Sequence, residues 1–186
     1  MNTIRRNTVT HLETAEAPGA MLTRTAAKGL AALRISVGFV FLWAFLDKTF
    51  GLGYSTPWER AWINGGSPTK GFLSAVEVGP FQGFFHSIAG DAWTNWSFML
   101  GMLAIGIALI AGIGLRLAAV GTTIMMALMW AAEWPLASGS SNPVVDYHVI
   151  YAIGAAVVAF TYAGHTWGLG RWWAKLPLVQ KNRWLI

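Results

Sequence analysis

Residues 92–115 read AWTNWSFMLGMLAIGIALIAGIGL, a run with no Asp, Glu, Lys, Arg or His. A helix rises 1.5 Å per residue, so ~20 apolar residues cross the ~30 Å hydrocarbon core of a bilayer. This run is long enough to span, and Gly112-Ile113-Gly114 marks its end. Three further stretches have the same character. Residues 29–50 carry Arg34 near one end and Asp47-Lys48 near the other, 117–136 are broken by Glu133 and Pro135, and 144–163 follow a turn over 138–143. The expected architecture is all-α: a polytopic membrane protein built as a bundle of four transmembrane helices. Composition agrees, since 55% of the 186 residues are hydrophobic, 11% are charged and the mean hydropathy is +0.49. A soluble domain carries about 25% charged residues, so intrinsic disorder and a large soluble catalytic domain are both excluded.

The chain divides into a polar N-terminal arm (1–27), a membrane domain (28–163) and a basic, aromatic C-terminal tail (164–186). In the arm no apolar core follows Arg5-Arg6, so a cleaved export signal is not expected. Basic residues set the orientation. Arg5, Arg6, Arg24, Lys28, Arg34, Arg116, Arg171, Lys175, Lys181 and Arg183 fall on one side of the spans, while Lys48, Arg60 and Lys70 fall on the other. Both termini are therefore expected in the cytoplasm and the chain in the plasma membrane. The net charge of +5 is a topology signal on this reading and does not point to nucleic acid. Tryptophans agree, because indole rings favour the headgroup zone: Trp58, Trp62, Trp93, Trp96, Trp130 and Trp134 mark the outer boundary, and Trp167, Trp172, Trp173 and Trp184 the inner one.

The outer segment, residues 51–91, is the one connection with room for structure. Thr56-Pro57-Trp58-Glu59-Arg60 has the pattern of a capped helix start with proline at its first position. Gly65-Gly66-Ser67-Pro68 ends that piece, and Phe72, Phe81, Phe84 and Phe85 follow. One or two short interfacial helices are expected there. Small residues at four-residue spacing, Ala104/Ala108/Gly112, Ala127/Ala131 and Ala155/Ala159, predict close approach of helix backbones.

Ionisable groups inside spans face a bundle interior, a cavity or the interface. Arg34 lies about two turns from the inner boundary, within snorkelling reach. Asp47, Lys48, Glu133, Asp146 and His148 gather at the outer ends of the first, third and fourth helices. At 100° per residue Asp146 and His148 diverge by about 200°, so Glu133, His148 and Tyr151 are the expected grouping, with Asp146 capping its own helix. Two readings stay open: these groups pair or cap at the membrane edge, or they form a polar site. Lined by Trp43, Trp130, Tyr151 and methionines, such a site would hold a quinone headgroup. Glu133, Asp146 or His148 would then relay protons, with Asp47 and Lys48 also at the headgroup.

Other motifs are missing. There is no cysteine, hence no disulfide, thiolate ligand or thiol redox chemistry. The histidines His11, His86, His148 and His165 show no metal-ligand spacing, so neither a metal nor a covalent cofactor is expected. A Walker loop and a Rossmann fingerprint are also absent. A solute transporter is disfavoured by the short chain and the lack of an internal repeat.

Several segments resemble the DoxX family of membrane proteins. They are Leu33-Arg34-Ile35-Ser36-Val37-Gly38, Asp47-Lys48 with Phe50-Gly51, and Ala61 to Gly71, followed by Gly112 to Arg116, Asn142 to His148 and Trp167 to Trp173. The last four are similar to actinobacterial members. The resemblance implies four membrane helices and a relation to the quinone-reducing large subunit of thiosulfate:quinone oxidoreductase, which oxidises thiosulfate to tetrathionate and reduces membrane quinone. It carries over to Arg34, Asp47, Lys48, Asp146 and His148. It equally implies the alternative of a non-catalytic membrane scaffold that docks a membrane or soluble redox partner.

Overall fold

The computed structural model describes residues 22–137 and 142–186. Most of the polar arm, and residues 138–141 of the expected turn, lie outside them. All regular structure among the described residues is helical. The order is α1 (Arg24–Phe50), α2 (Lys70–Ser74), α3 (Gln82–Ser87), α4 (Ala92–Ala111), α5 (Leu115–Glu133), α6 (Tyr147–Phe160), α7 (Gly170–Trp173) and α8 (Pro177–Lys181). Three of these, α1, α4 and α5, are long and apolar enough to cross a membrane.

Helix ends follow local chemistry. α1 starts earlier than the apolar pattern indicates, at Arg24, because the Thr23 hydroxyl accepts the Ala26 N–H at 3.1 Å and caps it. It ends where Gly51 turns left-handed and returns its N–H to Asp47. α4 ends likewise at Gly112. α5 stops at Glu133, short of the expected 136, where Trp134 takes a left-handed φ of 42° ahead of Pro135. The region expected to span as 144–163 holds a helix of only 14 residues, since Val144 and Val145 precede it outside the helix and Thr161 closes it. At about 21 Å, α6 is shorter than the hydrocarbon core.

α1 packs most extensively along α4 and α5 along α6, and contacts between α4 and α5 and between α1 and α6 close the ring. The shared core includes Val37, Phe41, Met99, Leu109, Met126 and Val158. Ala104 and Ala108 do not mark the close contact between helices. Among the long helices, α1 and α4 approach closely at glycines, where a Cβ on Gly38 would stand 2.9 Å from the Ile110 backbone N and one on Gly106 2.8 Å from that of Leu42. Ala104 and Ala108 instead line a groove, because small side chains leave a gap when large neighbours hold two helices apart. Ala155 and Ala159 are core residues as expected, and Ala127 is exposed.

Outside the core the long helices remain apolar. At most 33% of each apolar window is buried, and Phe39, Leu100, Ile107, Val120, Ile124 and Ile153 face outward. Such a surface suits contact with the lipid bilayer. The outer segment carries α2, α3 and 3-10 turns at Trp58–Arg60 and Trp62–Asn64. The expected helix start at Pro57 is only a three-residue turn without a side-chain cap. Leu73, Val76 and Phe85 of this segment pack on Ala132 of α5. The C-terminal region is not a free tail: Val179 is fully buried, the Arg183–Leu185 turn packs on α5, and Trp173 donates its indole N–H to the Leu185 carbonyl at 2.8 Å.

Candidate functional site

The outer ends of α5 and α6 bring Glu133, Asp146 and His148 together, with ligand atoms within 4.8 Å of one another. Asp146 is the N-cap of α6. With φ −110° and ψ −169° it sits outside the helix, so the 200° helical divergence from His148 does not apply to it. One carboxylate oxygen accepts the backbone N–H groups of His148 (2.9 Å) and Val149 (3.4 Å), and the other meets His148 Nδ1 at 2.9 Å. Asp146 therefore caps the helix and orients the ring. The expectation that Asp146 and His148 cannot converge is corrected for this reason.

His148 is 1% exposed, yet among the described residues its Nε2 has no hydrogen-bond partner. The nearest carboxylate oxygen is Glu133 Oε1 at 3.9 Å, beyond the 2.7–3.2 Å of a hydrogen bond. Glu133, 39% exposed, accepts instead from the Tyr147 hydroxyl at 2.8 Å. Tyr147 was not singled out by sequence, since nothing in it links position 147 to 133. Its ring lies 4.0 Å from that of His148 and edge-on to Tyr151. Tyr151 thus joins the site through Tyr147 rather than through Glu133. Trp130 flanks it, donating its indole N–H to the Val144 carbonyl at 3.2 Å.

When the imidazole is neutral, an ionised Asp146 holds its proton on Nδ1 and leaves the Nε2 lone pair on the Glu133 side. Both Asp146 oxygens and Glu133 Oε1 are engaged, so among the described residues Nε2 and Glu133 Oε2 are the ligand atoms of the group without a hydrogen bond. The arrangement matches a proton-exchanging imidazole held in one tautomer by a carboxylate.

Trp43, Asp47 and Lys48 belong to other surroundings. Asp47 is 1% exposed and accepts from the Tyr54 N–H (3.2 Å), the Ser55 N–H (3.1 Å) and the Ser55 hydroxyl (2.7 Å). It anchors the start of the outer segment. Trp43 stacks on Phe39 and meets Tyr54 edge-on. Lys48 lines one end of the groove between α4 and α5, a cavity of about 790 Å³ that reaches Gly114 and Trp173 at the other end and is otherwise almost wholly apolar. The single outer cluster expected from sequence therefore resolves into three groups. A second polar anchor, also not singled out, is Asn95. Its carbonyl accepts from Ser67, the Thr69 N–H and the Thr69 hydroxyl, and its amide donates to Gly90.

Arg34 does not snorkel. Fully buried, its guanidinium donates to the carbonyls of Leu109, Ile110 (2.7 Å), Thr166 (3.3 Å) and Trp167 (2.8 Å). It neutralises the carbonyl end of α4 and ties the segment after α6 to it. Gly112, Gly164 and Gly168 make room for this, since a Cβ on Gly164 would lie 2.2 Å from the Gly112 oxygen.

The chain matches no protein-family model, no curated protein and no solved structure.

Proposed function

We propose that this protein is a DoxX-like membrane subunit of a quinone-linked redox system, and that the group formed by Asp146, His148, Glu133 and Tyr147 receives a quinone headgroup and exchanges its protons. The observation that carries the reading is His148, a buried imidazole held by Asp146 with an unpartnered Nε2. Reducing a quinone to the quinol takes two electrons and two protons. His148 and the Tyr147–Glu133 pair are two proton-exchanging groups at one place. Oxidation of two thiosulfate ions to one tetrathionate releases the two electrons, as the family resemblance implies. With no cysteine, the chain passes them without thiol chemistry.

In this reading α1, α4, α5 and α6 cross the plasma membrane as a bundle, the fourth crossing running over 144–163. Arg24, Lys28, Arg116 and Arg171 then face the cytoplasm with both termini. An accessory role, docking a redox partner, is the second reading. It is favoured by the exposed aromatic outer segment, where Tyr54, Trp58, Phe81 and Phe84 lie open.

The test is reduction of a short-chain quinone by the purified protein with thiosulfate as donor. Turnover lost in His148→Gln and lowered in Glu133→Gln, at unchanged thermal stability, is the expected result. No reduction with or without a co-purifying partner overturns the enzymatic reading. A stoichiometric redox partner without bound quinone establishes the accessory one.

A further inference from the structure

The end of the molecule opposite the His148 group holds a second pocket, of about 290 Å³, where the start of α1 meets the segment after α6. Arg24 and Lys28 line it from the first turns of α1, and Arg171 from α7. Thr161, Tyr162, His165 and Thr166 supply hydroxyl and imidazole groups around them. Arg116, at the start of α5, adds positive charge behind Tyr162, whose hydroxyl its guanidinium meets at 3.4 Å.

Two features set this pocket apart from an ordinary basic membrane edge. Among the described residues no carboxylate lines it, and Arg24, Lys28 and Arg171 form no ion pair. His165 is a further lining residue, and its Nε2 has no hydrogen-bond partner among the described residues. Like charges lining one pocket repel one another, and a bound anion relieves that repulsion.

We infer that this pocket binds a phosphate group, held by Arg24, Lys28 and Arg171 with His165 and the neighbouring hydroxyls. Guanidinium groups match phosphate oxygens bidentately, and several donors converging from three chain segments suit an anion with several acceptor oxygens. Basic pockets between helix ends at the membrane surface take anionic lipid headgroups. The same chemistry would accept a soluble phosphate compound. Burial, and then the charge of Arg171, hold the His165 imidazole below its ordinary pKa. A bound phosphate offsets Arg171 and moves that pKa upward, which gives a readout local to the pocket. The site shares no residue with the His148 group, so it stands or falls independently of the quinone reading.

The experiment uses the full chain, purified and delipidated in detergent. Retention of phosphatidylglycerol against phosphatidylcholine is measured by native mass spectrometry, with inorganic phosphate as competitor, and His165 is titrated by NMR. Preference for the anionic lipid is expected, falling about five-fold for each pocket charge removed in Lys28→Gln and Arg171→Gln. The double variant Lys175→Gln/Lys181→Gln, which loses as much charge outside the pocket, should keep the preference. Retained lipid resistant to phosphate identifies a lipid headgroup site, whereas displacement by millimolar phosphate identifies a soluble ligand. In either case the His165 pKa rises on binding. Equal loss in the control variant, or no shift of His165 with any phosphate species, overturns the assignment.

Discussion

Arg34 shows how one side chain takes a role that its position along the chain does not reveal. Its place near the inner end of an apolar helix fits a snorkelling cation, but the folded chain wraps four carbonyls from two distant segments around it. Hydrogen bonds to a charged group contribute about 1.5–3 kcal/mol each. Arg34→Ala strands several buried carbonyls at once and should cost at least about 3 kcal/mol. Thermal unfolding in detergent checks this, and Arg34→Lys should recover only part of the loss, because an ammonium cannot serve carbonyls lying on both sides of a planar fork. Asp47 is a parallel case. Its acidic character and depth were legible in the sequence, whereas its partners Tyr54 and Ser55 depend on how the chain leaves α1.

At the level of single helices, termini were more legible than contacts. Asp146 shows why: a capping residue obeys loop geometry, so the periodicity that places side chains inside α6 misplaces this one. Capping and ring orientation separate by substitution. Asp146→Ala removes both and should cost about 1 kcal/mol. Asp146→Asn caps as well as Asp, so it should leave stability near that of the parent while changing which ring nitrogen of His148 carries the proton, read by nitrogen NMR. Packing between α1 and α4 gives a second prediction. Gly106→Ala places a methyl 2.8 Å from the Leu42 backbone and should destabilise by about 1–3 kcal/mol in chemical unfolding. Gly29→Ala, with nothing within 4 Å, should stabilise α1 by up to about 1 kcal/mol through helix propensity. The sequence marks both as glycines in an apolar helix, and only the neighbour opposite distinguishes them.

For the molecule as a whole, stability should depend on pH at the end where the C-terminal region folds back. Burial, with Arg171 second, holds His165 below its ordinary pKa of 6.5. The unfolded chain then binds the proton more readily than the folded one, so stability is intact above 6.5 and declines as pH falls through the lower folded value. Thermal unfolding in phosphate-free, delipidated detergent should show this decline, and His165→Gln should flatten it. The low charge content and the long uncharged run over 92–115 were enough to establish an all-helical, membrane-compatible chain, because length and hydropathy are additive along the sequence and bilayer thickness is fixed. Most of the candidate outer groups were also legible, since ionisable residues at the ends of apolar helices stand out by type. Which of them meet was settled by folding. Glu133 found Tyr147 rather than Tyr151, Lys48 went to a groove and Arg34 to the carbonyl end of α4, because a side chain's partners depend on helix rotation and on the path of the connections, and neither is a sum over residues.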